Sequence, residues 1–402
     1  MTIVARHPGM AILSFAIGAF AIGVSEFAAM GLLPYYAAGF QVTEPVAGHA
    51  VSAYAFGVVI GAPVLAIAGA RLPRKPFLIG LIALFGVANL LAAFAPTMDM
   101  LTFSRFLAGL PHGAFLGIAM LTAADMLPKG RRARGVAQVM TGLTVANVIG
   151  VPAAGLIGQA MGWRSLFVIV AVIAVVSVVS IARFAPHVEA DRGASPLSQI
   201  SGLANRAVWL TLLTGAVGFG GVFAVYAYLS AAMIDIGNAP AFAIPLVLSV
   251  FGIGATLGNL VASRLASWSR FGGALVLLCG MTAAPILYAL VMGNWPLMTL
   301  SIFILGITAG LFIPLQMRLM DVAGHAQTLA AAMNHAAFNL ANALGPLFAG
   351  MALSAGYGWA STGWVGAAMA AAGIVVLGVA FMDSRQTGPV GSDAAVPVAG
   401  DA

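Results

Sequence analysis

Long apolar stretches follow one another along this chain with little between them. Short clusters of charge or of Pro and Gly separate the stretches. The spacing predicts twelve apolar helical segments, at 11–34, 46–69, 76–96, 99–125, 135–161, 164–184, 207–234, 240–263, 271–292, 296–317, 327–354 and 360–382. A helix needs about 20 apolar residues to cross a bilayer, and each stretch reaches that length. Two boundaries carry no charge, because no Lys, Arg, Asp or Glu occurs between Arg270 and Arg318 or between Asp321 and Asp383. There the cuts fall at Gly293-Asn294-Trp295-Pro296 and at Gly356-Tyr357-Gly358-Trp359. Both are turn-forming clusters with an aromatic residue of the interfacial kind.

Composition turns this pattern into a class. Of 402 residues, 61% are hydrophobic and 7% charged, whereas soluble chains carry about 25% charged residues. Mean hydropathy is +1.04. Too few polar residues remain to coat soluble domains, and disorder is excluded because low hydrophobicity is its signature. The expectation is an all-α polytopic membrane protein of twelve transmembrane helices. The sequence pI near 9.9 would suit a nucleic-acid binder, but the placement of charge explains it otherwise. All Lys and Arg except Arg105 and Arg164 fall at the termini or in alternate loops, hence on one side of the membrane. The positive-inside rule then puts both termini in the cytoplasm. The expected location is a bacterial inner membrane, crossed many times. The single cysteine, Cys279, allows no internal disulfide and reads as a packing residue.

The longest polar stretch, 186–205, reads as a cytoplasmic linker. It divides an N-terminal six-helix half (1–185) from a C-terminal one (206–384), and 385–402 reads as a disordered tail. The halves repeat each other. Ile60-Gly61-Ala62 with Arg71-Leu72 returns as Ile253-Gly254-Ala255 with Arg264-Leu265, an offset of 193. Gly109, Gly113 and Phe115 return as Gly306, Gly310 and Phe312 at 197; Ala146-Asn147-x-x-Gly150 returns as Ala341-Asn342-x-x-Gly345 at 195. An even number of spans per repeat makes the repeats parallel. That is the two-halved arrangement of secondary transporters, whose substrate site lies between the halves near the midplane.

Five stretches carry a resemblance: FAIGVSEFAAMGLLP (20–34), SAYAFGVVIGAP (52–63), RFLAGLPHGAFLG (105–117), ANVIGVPAAGLIG (146–158) followed by GWRSLF (162–167), and MNHAAFNLANALG (333–345). With these, the chain resembles the major facilitator superfamily over all twelve segments. Within it, the chain is similar to the drug:proton antiporter branch and its arabinose-efflux-permease-like and purine/chloramphenicol-exporter group. The resemblance implies a gradient-driven exporter of small organic solutes. The family's second loop carries Gly-x-x-x-Asp-Arg-x-Gly-Arg-Lys. Here Ala66, Ala70 and Pro73 replace the Gly, the acid and the second Gly, while Arg71, Arg74 and Lys75 remain. Those three cations need do no more than mark the cytoplasmic side.

No nucleotide-binding loop, metal-ligand spacing or hydrolase triad is present, so no enzyme and no cofactor are expected. Glu26 is an acid inside an apolar segment. Such residues face a cavity or a partner, and burial favours the neutral form of a carboxyl. It is either a proton carrier and substrate contact or one half of a static ion pair. Arg105, the cation inside a span, sits at a similar depth, ~9–12 Å below the outer surface at ~1.5 Å per residue. It either partners Glu26 or snorkels to the interface. The resemblance places the two on neighbouring cavity-lining helices and links this arginine to proton coupling. His112 is either a second titrating group or a neutral, hydrogen-bonded histidine. His335, Asn339 and Asn342 form one helical stripe, a substrate path or interhelical hydrogen bonding, with Asn342 read as packing between the halves. Met30, Phe115, Tyr226, Tyr228 and Phe312 would give an adaptable cavity, unless they pack singly into core or lipid. Asn147, Gly150, Pro152, Gly155 and Gly345 read as gating and packing positions, small residues for close approach and Pro for a bend. Gly150 to Gly155 resembles the family's antiporter signature.

The resulting expectation is a monomeric proton-coupled antiporter that uses protons, a small-molecule substrate and the lipid bilayer, and no nucleic acid. The open alternatives are a proton symporter or facilitator for uptake, and a non-transporting membrane sensor.

Overall fold

A computed structural model describes residues 7–69, 72–128, 132–187, 205–240, 242–323 and 327–387. Arg71, the linker from 188 to 204 and the tail beyond 387 lie outside the described residues. Among the described residues twelve helices are long and apolar enough to cross a membrane: α1 Pro8–Gly31, α2 Glu44–Leu65, α3 Arg74–Ala93, α4 Met98–Asp125, α5 Arg134–Met161, α6 Arg164–Phe184, α7 Arg206–Asp235, α8 Ala243–Trp268, α9 Arg270–Leu290, α10 Trp295–Val322, α11 Met333–Ser354 and α12 Ala360–Arg385. No strand occurs among the described residues.

The two uncharged boundaries form as their residues dictate. Gly293 takes φ 92°, Asn294 caps α10 by accepting from the Leu297 amide at 3.2 Å, and Pro296 occupies the first turn. Gly356 and Gly358 take φ 85° and 70°, a region that glycine enters without steric cost. A short helix, Leu33–Phe40, follows α1 where a single longer segment was expected. Three helix ends also run further than expected, α12 among them, which passes 382 to reach Arg385. α8 continues through Arg264 to Trp268, and α10 continues through Arg318 to Val322. Charge does not end a helix whose backbone bonds continue. Arg318 is therefore not a loop cation. It is buried, with Nε donating to Thr211 Oγ1 at 2.9 Å and its guanidinium 3.9 Å from the Phe271 ring centroid.

The helices pack as two groups of six. In the first, α3 lies on α6, α2 on α4, and α1 on α5 and α6. In the second, α9 lies on α12, α8 on α10, and α7 on α11 and α12, the same scheme six helices later. The glycines explain the α2–α4 and α8–α10 crossings, and they correct the repeat there: Gly57 answers to Gly254 and Gly61 to Gly258, an offset of 197 and not the expected 193. A Cβ on Gly57 would strike the Phe106 carbonyl, and one on Gly254 would lie 2.6 Å from the Phe303 carbonyl. The groups meet along α2 with α11 and α5 with α8, which the same pseudo-twofold interchanges. Val172, Val175, Val179 and Val375 point outward, as a lipid-facing surface requires.

Candidate functional site

Glu26 lies on α1 five residues before the helix ends at Gly31. It is 7% exposed. Its Oε1 accepts a 2.8 Å hydrogen bond from Nδ2 of Asn342, a fully buried residue of α11 in the opposite half. Residues 316 apart in sequence thus meet across the boundary between the halves. Asn342, expected as a packing residue, is the direct partner of the buried acid.

Arg105 on α4 is 2% exposed, so it does not snorkel. Its Nη1 donates to Ser25 Oγ at 2.7 Å and its Nη2 to the Ser25 carbonyl at 3.0 Å. Ser25 Oγ donates in turn to Asn89 Oδ1 at 2.8 Å, and Asn89 Nδ2 to the Phe85 carbonyl at 2.8 Å. The guanidinium lies 4.3 Å from the Tyr54 ring centroid, a cation–π contact. Among the described residues Glu26 forms no ion pair with Arg105, although their charges act on each other through space. Sequence reasoning missed Ser25 and Asn89. The signal existed for Asn89, the one polar side chain between Pro76 and Pro96.

His112 follows a break in α4 at Pro111. It shares a 3.0 Å hydrogen bond with the Tyr54 hydroxyl through Nδ1. Asn339 donates to the His335 carbonyl at 3.0 Å, and the His335 ring lies 4.8 Å from that of Phe312. From there aromatic rings continue through Phe338 and Phe219 to Phe223, which lies 6.4 Å from Phe27. Tyr226 stands edge-on to Phe27 at 6.1 Å and 4.5 Å from Phe251. The structure thus brings Tyr226, Phe312 and His335 onto one aromatic path that reaches the residue beside Glu26, while Asn339 bonds within its own helix α11. Phe115 does not join them. It is fully buried against Gly18 and Ser177 inside the first half, which is packing and not cavity lining. Met30 is likewise buried in the core.

The gating candidates fall on helix crossings. In α5, Ala146–Gly150 forms a π turn ahead of Pro152. Proline supplies no amide hydrogen, and such a turn absorbs the disturbance. A Cβ on Gly150 would lie 2.6 Å from Val24 of α1, whereas one on Gly155 would lie 3.7 Å from Pro245 of α8. The Asn147 backbone packs against Gly252 of α8, and Gly345 packs against the Gly220 backbone of α7.

Where α1 ends and α2 begins, the halves are in contact. Ser52 Oγ donates to the Ala343 carbonyl at 3.0 Å. The Tyr228 hydroxyl, held within the second half by a 3.0 Å bond to the Pro346 carbonyl, packs against Gly48 of the first half. Toward the opposite face of the molecule, Arg74 pairs with Asp125 at 2.8 Å, and Arg270 with Asp321 at 3.2 Å. Both pairs span 51 residues, and an offset of 196 converts one into the other. Arg74 therefore has a specific partner, more than the bulk charge expected of it. Lys75 is partly exposed.

The model for the Major Facilitator Superfamily matches residues 15–269 and 232–396. The inner membrane transport protein YdhP of Escherichia coli (strain K12) is 37% identical over 380 residues, covering 93% of this chain and 96% of YdhP. The chloramphenicol resistance protein of Streptomyces lividans is 31% identical over 369 residues, covering 90% and 93%. The crystal structure of the nucleoside transporter NupG superposes with a TM-score of 0.73 at 14% identity, covering 92% of this chain and all of NupG. With twelve spanning helices in two six-helix groups, these matches show that the chain belongs to the major facilitator superfamily and is a membrane transporter, not an enzyme.

Proposed function

We propose that this transporter exports a small organic solute in exchange for protons, by alternating access of its two halves. The observation that carries the reading is Glu26. It is the one acid among the described residues that is buried, and it lies against the opposite half. An ionised carboxylate sealed from water costs several kcal/mol, so a carboxyl that gains and loses a proton as the halves move is the economical use of this position. The aromatic path through Phe27, Tyr226 and Phe312 offers an apolar solute a surface beside it. The resistance protein of Streptomyces lividans makes chloramphenicol the first solute to try. With the termini and the 186–205 linker in the cytoplasm of a bacterial inner membrane, as the Lys and Arg distribution requires, the contacts around Ser52 and Tyr228 close the outer side. The protein works as a monomer.

The test uses purified protein in vesicles with an imposed pH gradient and a ligand library that includes chloramphenicol. A solute that stabilises the protein thermally should be driven uphill by the gradient. Glu26→Gln should abolish uphill movement while downhill exchange survives. Undiminished proton-driven export by Glu26→Gln overturns the assignment and leaves His112 or His335 as the carrier.

A further inference from the structure

Two buried atoms beside Glu26 lack hydrogen-bond partners, and they ask for opposite things. Asn342 Oδ1 is an acceptor with no donor. Arg105 Nε is a donor with no acceptor. Both side chains are almost wholly buried, and a buried polar group left unpaired costs about 1–3 kcal/mol. Asn342 belongs to α11 of the second half and Arg105 to α4 of the first.

From these orphans we infer that Asn342 reads the protonation state of Glu26 and ties it to contact between the halves. A carboxylate can only accept. It takes one bond from Asn342 Nδ2 and leaves the amide oxygen of the same side chain unpaired. A protonated carboxyl can also donate. Facing a primary amide, it forms two bonds, amide N–H to carboxyl oxygen and carboxyl O–H to amide oxygen. Adding one proton therefore completes the Asn342 pairing and strengthens the bridge between α1 and α11. Loss of that proton to water reverses the preference. The carboxylate has more to gain from the unpaired Nε–H of Arg105, on its own half, and the bridge to α11 weakens. Protonation thus holds the Ser52–Ala343 and Tyr228 contacts shut, and deprotonation lets them part. The inference rests on Glu26 being the proton carrier. The charged and titratable side chains that act on the carboxyl are Arg105 of α4 and Tyr54 of α2; further out, Tyr36 of the short helix faces Arg105, His112 of α4 hydrogen-bonds Tyr54, Tyr226 of α7 packs on Phe27, and His335 of α11 packs on Phe312. Of these, Arg105 is the group whose charge acts on Glu26.

The distance between the halves can be read without knowing the solute. Phe94 and Leu290 end α3 and α9 on the side of the closed contacts and are 73% and 69% exposed. Spin labels on Phe94→Cys and Leu290→Cys, in a Cys279→Ala background, report that distance by pulsed electron resonance in lipid nanodiscs. In otherwise wild-type protein, acidification should enrich the short distance. Glu26→Gln, whose amide can form the same two bonds with Asn342, should give the short distance at every pH. Asn342→Leu should lose the pH response and favour the long distance at every pH. Should Asn342→Leu fail to elute as a single monodisperse species, Asn342→Ala makes the same test. A wild-type pH response surviving in the Asn342 variant overturns the inference while leaving Glu26 as carrier. A wild-type response unchanged by Glu26→Gln, or no response at all, overturns both.

Discussion

Asn89 interrupts an otherwise wholly apolar span, and the structure shows why it is there. It accepts from Ser25, which accepts from Arg105, so the arginine is held to the backbone of α1 one residue away from the acid. Each link to a charged or fully buried group is worth about 1–3 kcal/mol. Asn89→Leu and Ser25→Ala should each lower unfolding stability by an amount of that order, measured by thermal melts in detergent. The double variant should cost clearly less than the sum, because one network is being broken twice; additive losses would mean the two residues act separately. At this scale the sequence announced its ionisable groups, since Glu26 and Arg105 stand out against apolar neighbours. It could not announce their partners. Asn342 reaches Glu26 across 316 residues, and no helical periodicity carries that information. Nor could it tell Phe115, a packing residue, from Phe312, a member of the aromatic path, because twenty-three phenylalanines make any one uninformative.

Among the elements, α5 shows how one helix serves two neighbours. Gly150 faces α1 within its own half, and Gly155 faces α8 of the other. Gly150→Leu should therefore damage the first half itself, at a cost of about 1–3 kcal/mol from overpacking, visible as a lowered melting temperature. Gly155 has room for a Cβ at 3.7 Å from Pro245, so Gly155→Ala should be neutral. Gly155→Leu should leave melting nearly unchanged but lengthen the Phe94–Leu290 label distance by keeping α5 from closing on α8. Equal behaviour of Gly150→Leu and Gly155→Leu in both measurements would show that the two glycines face the same neighbour. All twelve spans were legible because burial in lipid forces long apolar runs. Their ends were less so. Arg264 and Arg318 looked like loop residues, yet a helix accommodates an arginine whose head finds a hydroxyl and a ring, as Arg318 finds Thr211 and Phe271.

The whole molecule is one helical scheme used twice, and the repeat extends to two of its ion pairs. Arg74–Asp125 is partly shielded, with side chains 25% and 13% exposed, while Arg270–Asp321 is at 34% and 56%. Exposed pairs contribute about 0–1 kcal/mol. Asp125→Asn should accordingly cost more stability than Asp321→Asn, and the loss from Asp321→Asn should vanish in high salt; thermal melts at two ionic strengths decide it. The repeat was visible in the sequence through its glycines, whereas the pairs were not, since Asp125 and Asp321 look like ordinary helix-end charges.

That duplication stops at the chemistry. Offsets of 193 to 197 carry Glu26 onto Phe219-Gly220-Gly221-Val222-Phe223 and Arg105 onto Met298-Thr299-Leu300-Ser301-Ile302, none of them ionisable. At Gly221 a Cβ would lie 2.6 Å from the Gly366 carbonyl, so a second acid there would have to displace α12. With Glu26 as carrier, each cycle moves a single positive charge inward, and the membrane voltage contributes ~2.3 kcal/mol per 100 mV to every uncompensated charge. Export of a neutral solute is then driven by voltage as well as by the pH difference. Export of a monovalent cation is driven by the pH difference alone. Clamping the vesicle potential with potassium and valinomycin, with the pH gradient fixed, should thus reveal the charge of the transported molecule.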